Sequence, residues 1–303
     1  MMELTQLQKN ISAQLPELEV RFFEPMSKHT SFRIGGPAEV MAFPKNQLQL
    51  AQLLKQSAIL DCKTVILGAG TNVLAPDEGM SGLVICLKDA LDEMVLLDGN
   101  RIRVGAGVTM ARAAVFAASH NLSGLEFAHG IPGTVGGGVY MNAGAYGGDI
   151  SMVCRKVQAM TRQGSLIEYT AEEMEFSYRH SRLEDEDAIV VSAEFALEEK
   201  PEAEIRAVML DLMTRRKTSQ PLDKPSAGSA FKRPAIGYAA ALIDQTGLKG
   251  YRIGDAAVSE KHAGFVVNLG SATAAEVKAL LSSVAQKVYE ATGIQLEPEV
   301  RIW

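Results

Sequence analysis

GIPGTVGGGVYMNAGAYGG, residues 130–148, places eight glycines in 19 residues. A second glycine stretch, LGAGTNVL at 67–74, follows the apolar strand pattern Thr64–Leu67. Glycine lets a backbone turn with positive φ and approach a ligand closely. Successive bare N–H groups then make a concave anion site of the size of a diphosphate. Tight turns alone would also account for Gly68-Ala69-Gly70. The longer stretch, with polar Thr134 and Asn142 inside it, points to a phosphate or cofactor cradle. Neither stretch is a Rossmann fingerprint. Val73 stands where the third glycine would follow Gly68 and Gly70, and Met110 where it would follow Gly105 and Gly107. No GxxxxGK[ST] loop occurs. A dinucleotide bound here needs a different fold.

Working outward, the first twenty residues read as a helix, Ala38–Pro44 as a strand, and Asn46–Ser57 as a helix carrying Leu48, Leu50, Leu53 and Leu54. Leu83–Leu87 is strand-like. Glu93–Leu97 and Arg101–Ala106 flank the hairpin signal Asp98-Gly99-Asn100. Thr109 caps an alanine-rich helix to Asn121. Cys154–Thr161, Ser165–Tyr169 and Ala188–Leu197 alternate as strands. After the break at Glu198–Pro201, the spacing predicts helices over Ala203–Lys217, Ile236–Thr246 and Ala274–Thr292. Gly264–Leu269 and Ile294–Trp303 read as strands. The class is α+β with two or three subdomains.

Composition excludes several functions. The 303 residues are 47% hydrophobic and 22% charged, ordinary for a globular chain. No apolar run reaches the length of a membrane span, and the polar N-terminus is no signal peptide. Net charge is −6, which argues against nucleic acid. Cys62, Cys86 and Cys154 form no CxxC pair, and the five histidines show no ligand spacing, so no metal is expected.

Three polar features stand out. Thr214–Arg233 holds Arg215, Arg216, Lys217, Lys224, Lys232 and Arg233 against Asp223 alone. Such a run is either a solvated face or a site for an anionic substrate. Arg179, in Tyr178-Arg179-His180-Ser181, lies in an acidic neighbourhood where a surface ion pair is the plain reading. Its planar fork also matches a carboxylate; His180 reads as structural. Ser229 sits in a Gly-Ser turn without a nucleophile elbow. Glu299, between Leu296, Val300 and Ile302, would be half-buried, so it needs a partner or a raised pKa.

The pieces HTSFRIGGPAE (29–39), LGAGTNVL, LEFAHGIPGTVGGGVYMNAGAYG (125–147), FSYRHSR (176–182), AGSAFKRP (227–234), SEKHAGFVVN (259–268) and LEPEVRIW (296–303) resemble, in order, the UDP-N-acetylenolpyruvoylglucosamine reductase family, in its shorter branch. The resemblance implies an FAD-binding domain of the p-cresol-methylhydroxylase and vanillyl-alcohol-oxidase type in two parts, 1–90 and 91–200. A C-terminal α/β substrate-binding domain, 201–303, follows. It implies non-covalent FAD held by Arg33, Gly68, Ala69, Gly70, Thr71, Asn72, Gly133, Thr134, Gly136, Gly137, Asn142, Ala143, Gly144 and Tyr146. NADPH is the implied co-substrate and UDP-N-acetylglucosamine enolpyruvate the implied substrate, met by Tyr178, Lys217 and Arg233. Arg179, Ser229 and Glu299 are the implied catalytic residues, with Ser229 the proton donor and Glu299 its acid partner. A cytoplasmic monomer serving peptidoglycan synthesis, and with it cell shape and division, is expected, with no nucleic-acid or membrane partner. A flavin oxidase of the same fold, or a non-catalytic binding protein, are the alternatives.

Overall fold

The computed structural model describes residues 4–303; the first three residues of the expected N-terminal helix lie outside the described residues. The helix itself is Gln6–Gln14, opened by a reciprocal pair in which Thr5 caps the Gln8 N–H and Gln8 takes the Thr5 N–H. It stops before Pro16, because the residue preceding a proline is driven out of helical geometry. Leu15 accordingly has φ −132° and ψ 62°. The expected twenty-residue helix is therefore shorter, and Glu19–Pro25 is a strand instead.

The chain forms two compact units. The first comprises 4–22, Glu39–Ala69 and Ser81–Thr214; the second comprises Phe23–Ala38, Gly70–Met80 and Arg215–Trp303. A four-stranded sheet in the first has the order Glu19–Pro25, Pro37–Phe43, Met80–Cys86, Thr64–Leu67. Its last pair is parallel, in register from Thr64 opposite Leu83 to Leu67 opposite Cys86. The helix Gln47–Ile59 turns Leu50, Leu53 and Leu54 onto this sheet's Val40, Ala42, Leu83 and Ile85. These three make an i, i+3, i+4 face, and Leu48 of the expected set lies off it and is exposed.

The second sheet of this unit is antiparallel, in the order Leu166–Thr170, Cys154–Met160, Ile189–Ala196, Arg101–Gly105, Met94–Leu97. The hairpin closes as expected, with Leu97 opposite Arg101 and positive φ at Gly99 and Asn100. The helix Met110–Ser119, capped by Thr109, buries Ala113, Ala114, Ala117 and Ala118 in the same core as Val104, Val157 and Phe195. The glycine stretch is not all loop. Val135–Tyr140 is a short helix capped by Thr134. Three glycines oppose helix on propensity, but tertiary packing overrides it. A Cβ on Gly136 would lie 2.9 Å from that of Ala106. The glycine thus brings the helix against the sheet's edge.

The second unit holds an antiparallel sheet in the order Ser226–Ser229, Phe265–Asn268, Ala256–Val258, Arg252–Ile253. The helix Ala274–Thr292 lays Val277, Leu280, Leu281, Val284 and Val288 into a core with Phe32, Leu74, Phe231 and Leu296. The helix expected from Ile236 starts at Ala239, because Gly237 has φ +78°. The strand expected over 294–303 shrinks to Arg301–Ile302, which pairs in parallel with Val73–Leu74. Pro298 lacks a ladder donor, and Leu296 and Val300 are buried as irregular chain. Among the described residues, no helix is long and apolar enough to cross a membrane.

Candidate functional site

In the first unit the two glycine stretches meet. A Cβ on Gly68 would lie 2.6 Å from Thr134 Oγ1, so only glycine allows this approach. The helix that follows has already used its first amides. Val135 donates to Val108 O at 2.7 Å, Gly136 to Ala106 O at 2.9 Å, Gly137 to Thr134 Oγ1 at 3.3 Å and Gly138 to Thr134 O at 2.8 Å. Among the described residues, no acceptor takes the main-chain N–H of Ala69 or Thr134. Thr134 is only 2% exposed. A buried amide without a partner is costly, and an oxyanion placed there would satisfy it. The donor set therefore fits a diphosphate. Gly137 offers such a group its bare surface rather than an N–H, while the bare face of Gly136 is taken up by Ala106.

The other end of the glycine stretch is built onto the Arg179 turn. Buried Asn142 donates from Nδ2 to Ser177 O at 3.0 Å and accepts the Ser151 N–H on Oδ1 at 3.0 Å. Ser177 and His180 close a turn by exchanging main-chain bonds of 3.1 and 3.3 Å, with Tyr178 and Arg179 at its tip. Arg179 donates from Nη2 to Gly144 O at 3.2 Å and lies 4.9 Å from the Tyr178 ring centre. Ser181, fully buried, donates to Tyr140 O at 2.7 Å and anchors the turn's far side. His180 faces Asp185 at 3.1 Å and Glu184 at 3.5 Å. Asn142, Tyr146 and Arg179 all have positive φ, at 43°, 54° and 57°. Non-glycine residues held there store strain that gathers at functional sites.

In the second unit Arg33 is a fourth such residue, at φ 57°. Its turn is held by Thr30 Oγ1 on Ile34 O, by Ser31 Oγ on Ser226 O at 2.6 Å, and by buried Asn268 Nδ2 on Phe32 O at 3.0 Å. Gly70 has φ +62°, and a Cβ there would sit 2.1 Å from His29 O. Its bareness serves the protein's own packing. Ser229 is exposed at the end of its strand, opposite Phe265, just after Gly228 at φ +76°. Half-buried Glu299 donates its N–H to the carbonyl of Ala230, next to Ser229, at 2.9 Å. Serine and carboxylate, 70 positions apart in sequence, thus stand on neighbouring backbone. Lys217 is exposed in the last turn of the helix Glu202–Ser219, where its carbonyl accepts Lys261 Nζ at 2.6 Å. Arg216 beside it is buried, and Arg233 lies 4.6 Å from the Tyr238 ring centre.

Sequence reasoning missed Ser181, Ser31 and Asn268, whose side chains bond main chain far away in sequence, and Ser177, whose carbonyl accepts Asn142 Nδ2. Only the recurrence of a polar residue inside an apolar strand, as in Phe265–Asn268, signals such a role. Burial lowers the His262 imidazole below its ordinary value, and its Nδ1 accepts the Gly264 N–H at 3.1 Å. Burial pushes the Cys154 thiol up to about 12, which leaves it inert.

Comparison with known proteins covers the whole of this framework. Residues 38–170 match the model of an FAD binding domain, and residues 220–303 that of the UDP-N-acetylenolpyruvoylglucosamine reductase C-terminal domain. A UDP-N-acetylenolpyruvoylglucosamine reductase of Agathobacter rectalis is 45% identical, covering 97% of each chain. One from Syntrophomonas wolfei is 42% identical over 95% of this chain and 96% of its own. The crystal structure of a UDP-N-acetylenolpyruvylglucosamine reductase from Thermus caldophilus superposes with a TM-score of 0.77 at 34% identity, covering 94% of this chain and 98% of that one. Cholesterol oxidase from B. sterolicum, 13% identical with a TM-score of 0.51, shares the fold over 66% of this chain and 40% of its own.

Proposed function

The chain belongs to the UDP-N-acetylenolpyruvoylglucosamine reductase family, and on that footing we propose that it reduces UDP-N-acetylglucosamine enolpyruvate to UDP-N-acetylmuramate. NADPH is the reductant and FAD the non-covalent cofactor. When bound, FAD supplies the hydride relay from NADPH to the enolpyruvyl C3. The observation that supports the reading is that the backbone of Glu299 pairs beside Ser229, its N–H on Ala230 O.

Each residue then has a task. The amides of Ala69 and Thr134, with the open face of Gly137, take the cofactor's diphosphate, and Gly68, Gly70, Gly133 and Gly136 shape the backbone around it. Arg33, Thr71, Asn72, Asn142, Ala143, Gly144 and Tyr146 line the remainder. An enol ether is electron-rich and resists hydride, so its carboxylate must draw charge away from the double bond. Arg179, always cationic and pre-oriented by Gly144 O, holds that carboxylate as it gains enediolate character. A preorganised donor of this kind is worth about 3 kcal/mol. Ser229 Oγ gives its proton to C2, and Glu299 supports that transfer. Hydride at C3 and proton at C2 complete the lactyl ether. Lys217 holds the UDP diphosphate, with Tyr178 and Arg233 against the same substrate.

The reading divides the chain into cofactor-binding parts 1–90 and 91–200 and a substrate-binding part 201–303. It places the enzyme in the cytoplasm as a monomer, supplying peptidoglycan precursor for wall growth, cell shape and division. The test is NADPH oxidation by the FAD-loaded protein. UDP-N-acetylglucosamine enolpyruvate should drive it and UDP-N-acetylglucosamine, which lacks the double bond, should not. Equal rates with both would overturn the assignment.

A further inference from the structure

Within the second unit, the backbone of Glu299 is fastened on both sides of its Cα. Its N–H reaches Ala230 O at 2.9 Å. Its C=O accepts Asn72 Nδ2 at 3.1 Å. The partner being a carbonyl, the amide nitrogen must face it. The main chain of Asn72 joins the same clasp, its carbonyl accepting the Arg301 N–H at 3.0 Å. The clasp continues as Val73 opposite Arg301 and Leu74 opposite Ile302, and closes with Trp303 N–H on Leu74 O at 3.2 Å. Asn72 is itself held from behind, because Gly70 packs on the His29 backbone and its carbonyl accepts the Ser31 N–H at 3.0 Å.

We infer that Asn72 is a positioning residue for Glu299: its side-chain amide sets the carboxylate beside Ser229 and ties that pair to the glycine loop. The inference rests on the catalytic reading of Ser229 and Glu299. It moves the weight of Asn72 from the cofactor to the proton-delivery pair. With the peptide groups on both sides of its Cα bonded, the backbone from which the Glu299 carboxylate projects is fixed. Without the Asn72 donor, the segment 299–303 loses the bond that orients the Glu299 carbonyl, and the adjoining ladder through Arg301 and Trp303 opens more readily. Misplacing a catalytic group by about 1 Å costs about 10²-fold in rate.

The experiment compares Asn72→Ala and the isosteric Asn72→Asp, which faces the Glu299 carbonyl with a second acceptor, in FAD-loaded protein. Reoxidation of the NADPH-reduced protein by the enolpyruvyl UDP-sugar should slow by about 10²-fold in both variants, while reduction by NADPH slows less than about threefold. The pH profile of reoxidation should shift, and adding Glu299→Gln should multiply the loss little. Amide exchange at Arg301 and Trp303 should rise, with that at Ile85 unchanged. Equal slowing of both half-reactions with loss of FAD, or a fully multiplied double-variant loss, would return Asn72 to the cofactor and overturn the inference. If the native protein is not reoxidised by this sugar, the catalytic reading fails by itself. Amide exchange then decides the clasp, and unchanged exchange at Arg301 and Trp303 overturns it.

Discussion

Ser229 carries the sharpest single-residue expectation. If its hydroxyl delivers the proton to C2, Ser229→Ala leaves reduction by NADPH near native, since no proton reaches carbon in that step. Reoxidation by the enolpyruvyl sugar should fall about 10²–10⁴-fold, the usual worth of general acid catalysis. Ser229→Cys should recover part of it. Equal slowing of both half-reactions, read by stopped-flow, would make Ser229 a packing residue. His262 gives a pH-linked expectation. Burial holds its pKa below the ordinary 6.5, so the unfolded chain takes the proton first. The stability its neutral ring contributes is full above 6.5 and is lost as pH falls through that value. His262→Asn keeps an acceptor for the Gly264 N–H and should flatten the urea midpoint between about pH 7.5 and 5. His129, also lowered by burial, leaves a residual slope. A slope equal to that of the native protein would remove His262 from the account. At this scale the glycine stretches were legible, while the roles of Arg179, Ser229 and Glu299 are proposals for such variants to test. Ser31, Ser181 and Asn268 were not legible, because a lone polar residue shows its hydrogen-bond partner only after the chain is folded.

Among the elements, those with a strong local signal were read well: the hairpin at Asp98–Asn100 and the helices entered through Thr109 and Thr273. Those decided by distant packing were not. Val135–Tyr140 is helical against its glycines because the sheet and the Met110–Ser119 helix demand close approach. The C-terminal strand is short because Leu296 and Val300 belong to a core rather than to a ladder. One element has a cap invisible from its own sequence. Asp77, about 200 positions upstream, accepts the Ala274 N–H at 2.7 Å and the Ala275 N–H at 3.0 Å, beside the local Thr273–Glu276 capping box. Asp77→Ala should cost about 1 kcal/mol, seen as a lower urea midpoint at unchanged slope. Asp77→Asn, which keeps one acceptor, should cost less. No change in midpoint would mean that the capping box alone suffices.

For the whole molecule, family membership rests on likeness along nearly the full chain, and each unit is held by apolar cores of its own. The chain alternates between the units, which composition shifts along the sequence do not reveal. Segments 23–38 and 70–80 join the C-terminal residues because Phe32, Ile34 and Leu74 bury into the core of the Ala274–Thr292 helix. This places the glycine-loop residues Gly70–Asn72 in the unit of Ser229 and Glu299, and Gly68 and Ala69 in the unit of Arg179. The central claim is that all of these serve one reduction, and a single anaerobic turnover tests it most directly. The FAD-loaded protein is bleached with one equivalent of NADPH and mixed with UDP-N-acetylglucosamine enolpyruvate. The account predicts return of the oxidised flavin spectrum with one equivalent of UDP-N-acetylmuramate. A flavin that stays bleached until oxygen is admitted, with the enolpyruvyl sugar recovered intact, would contradict it.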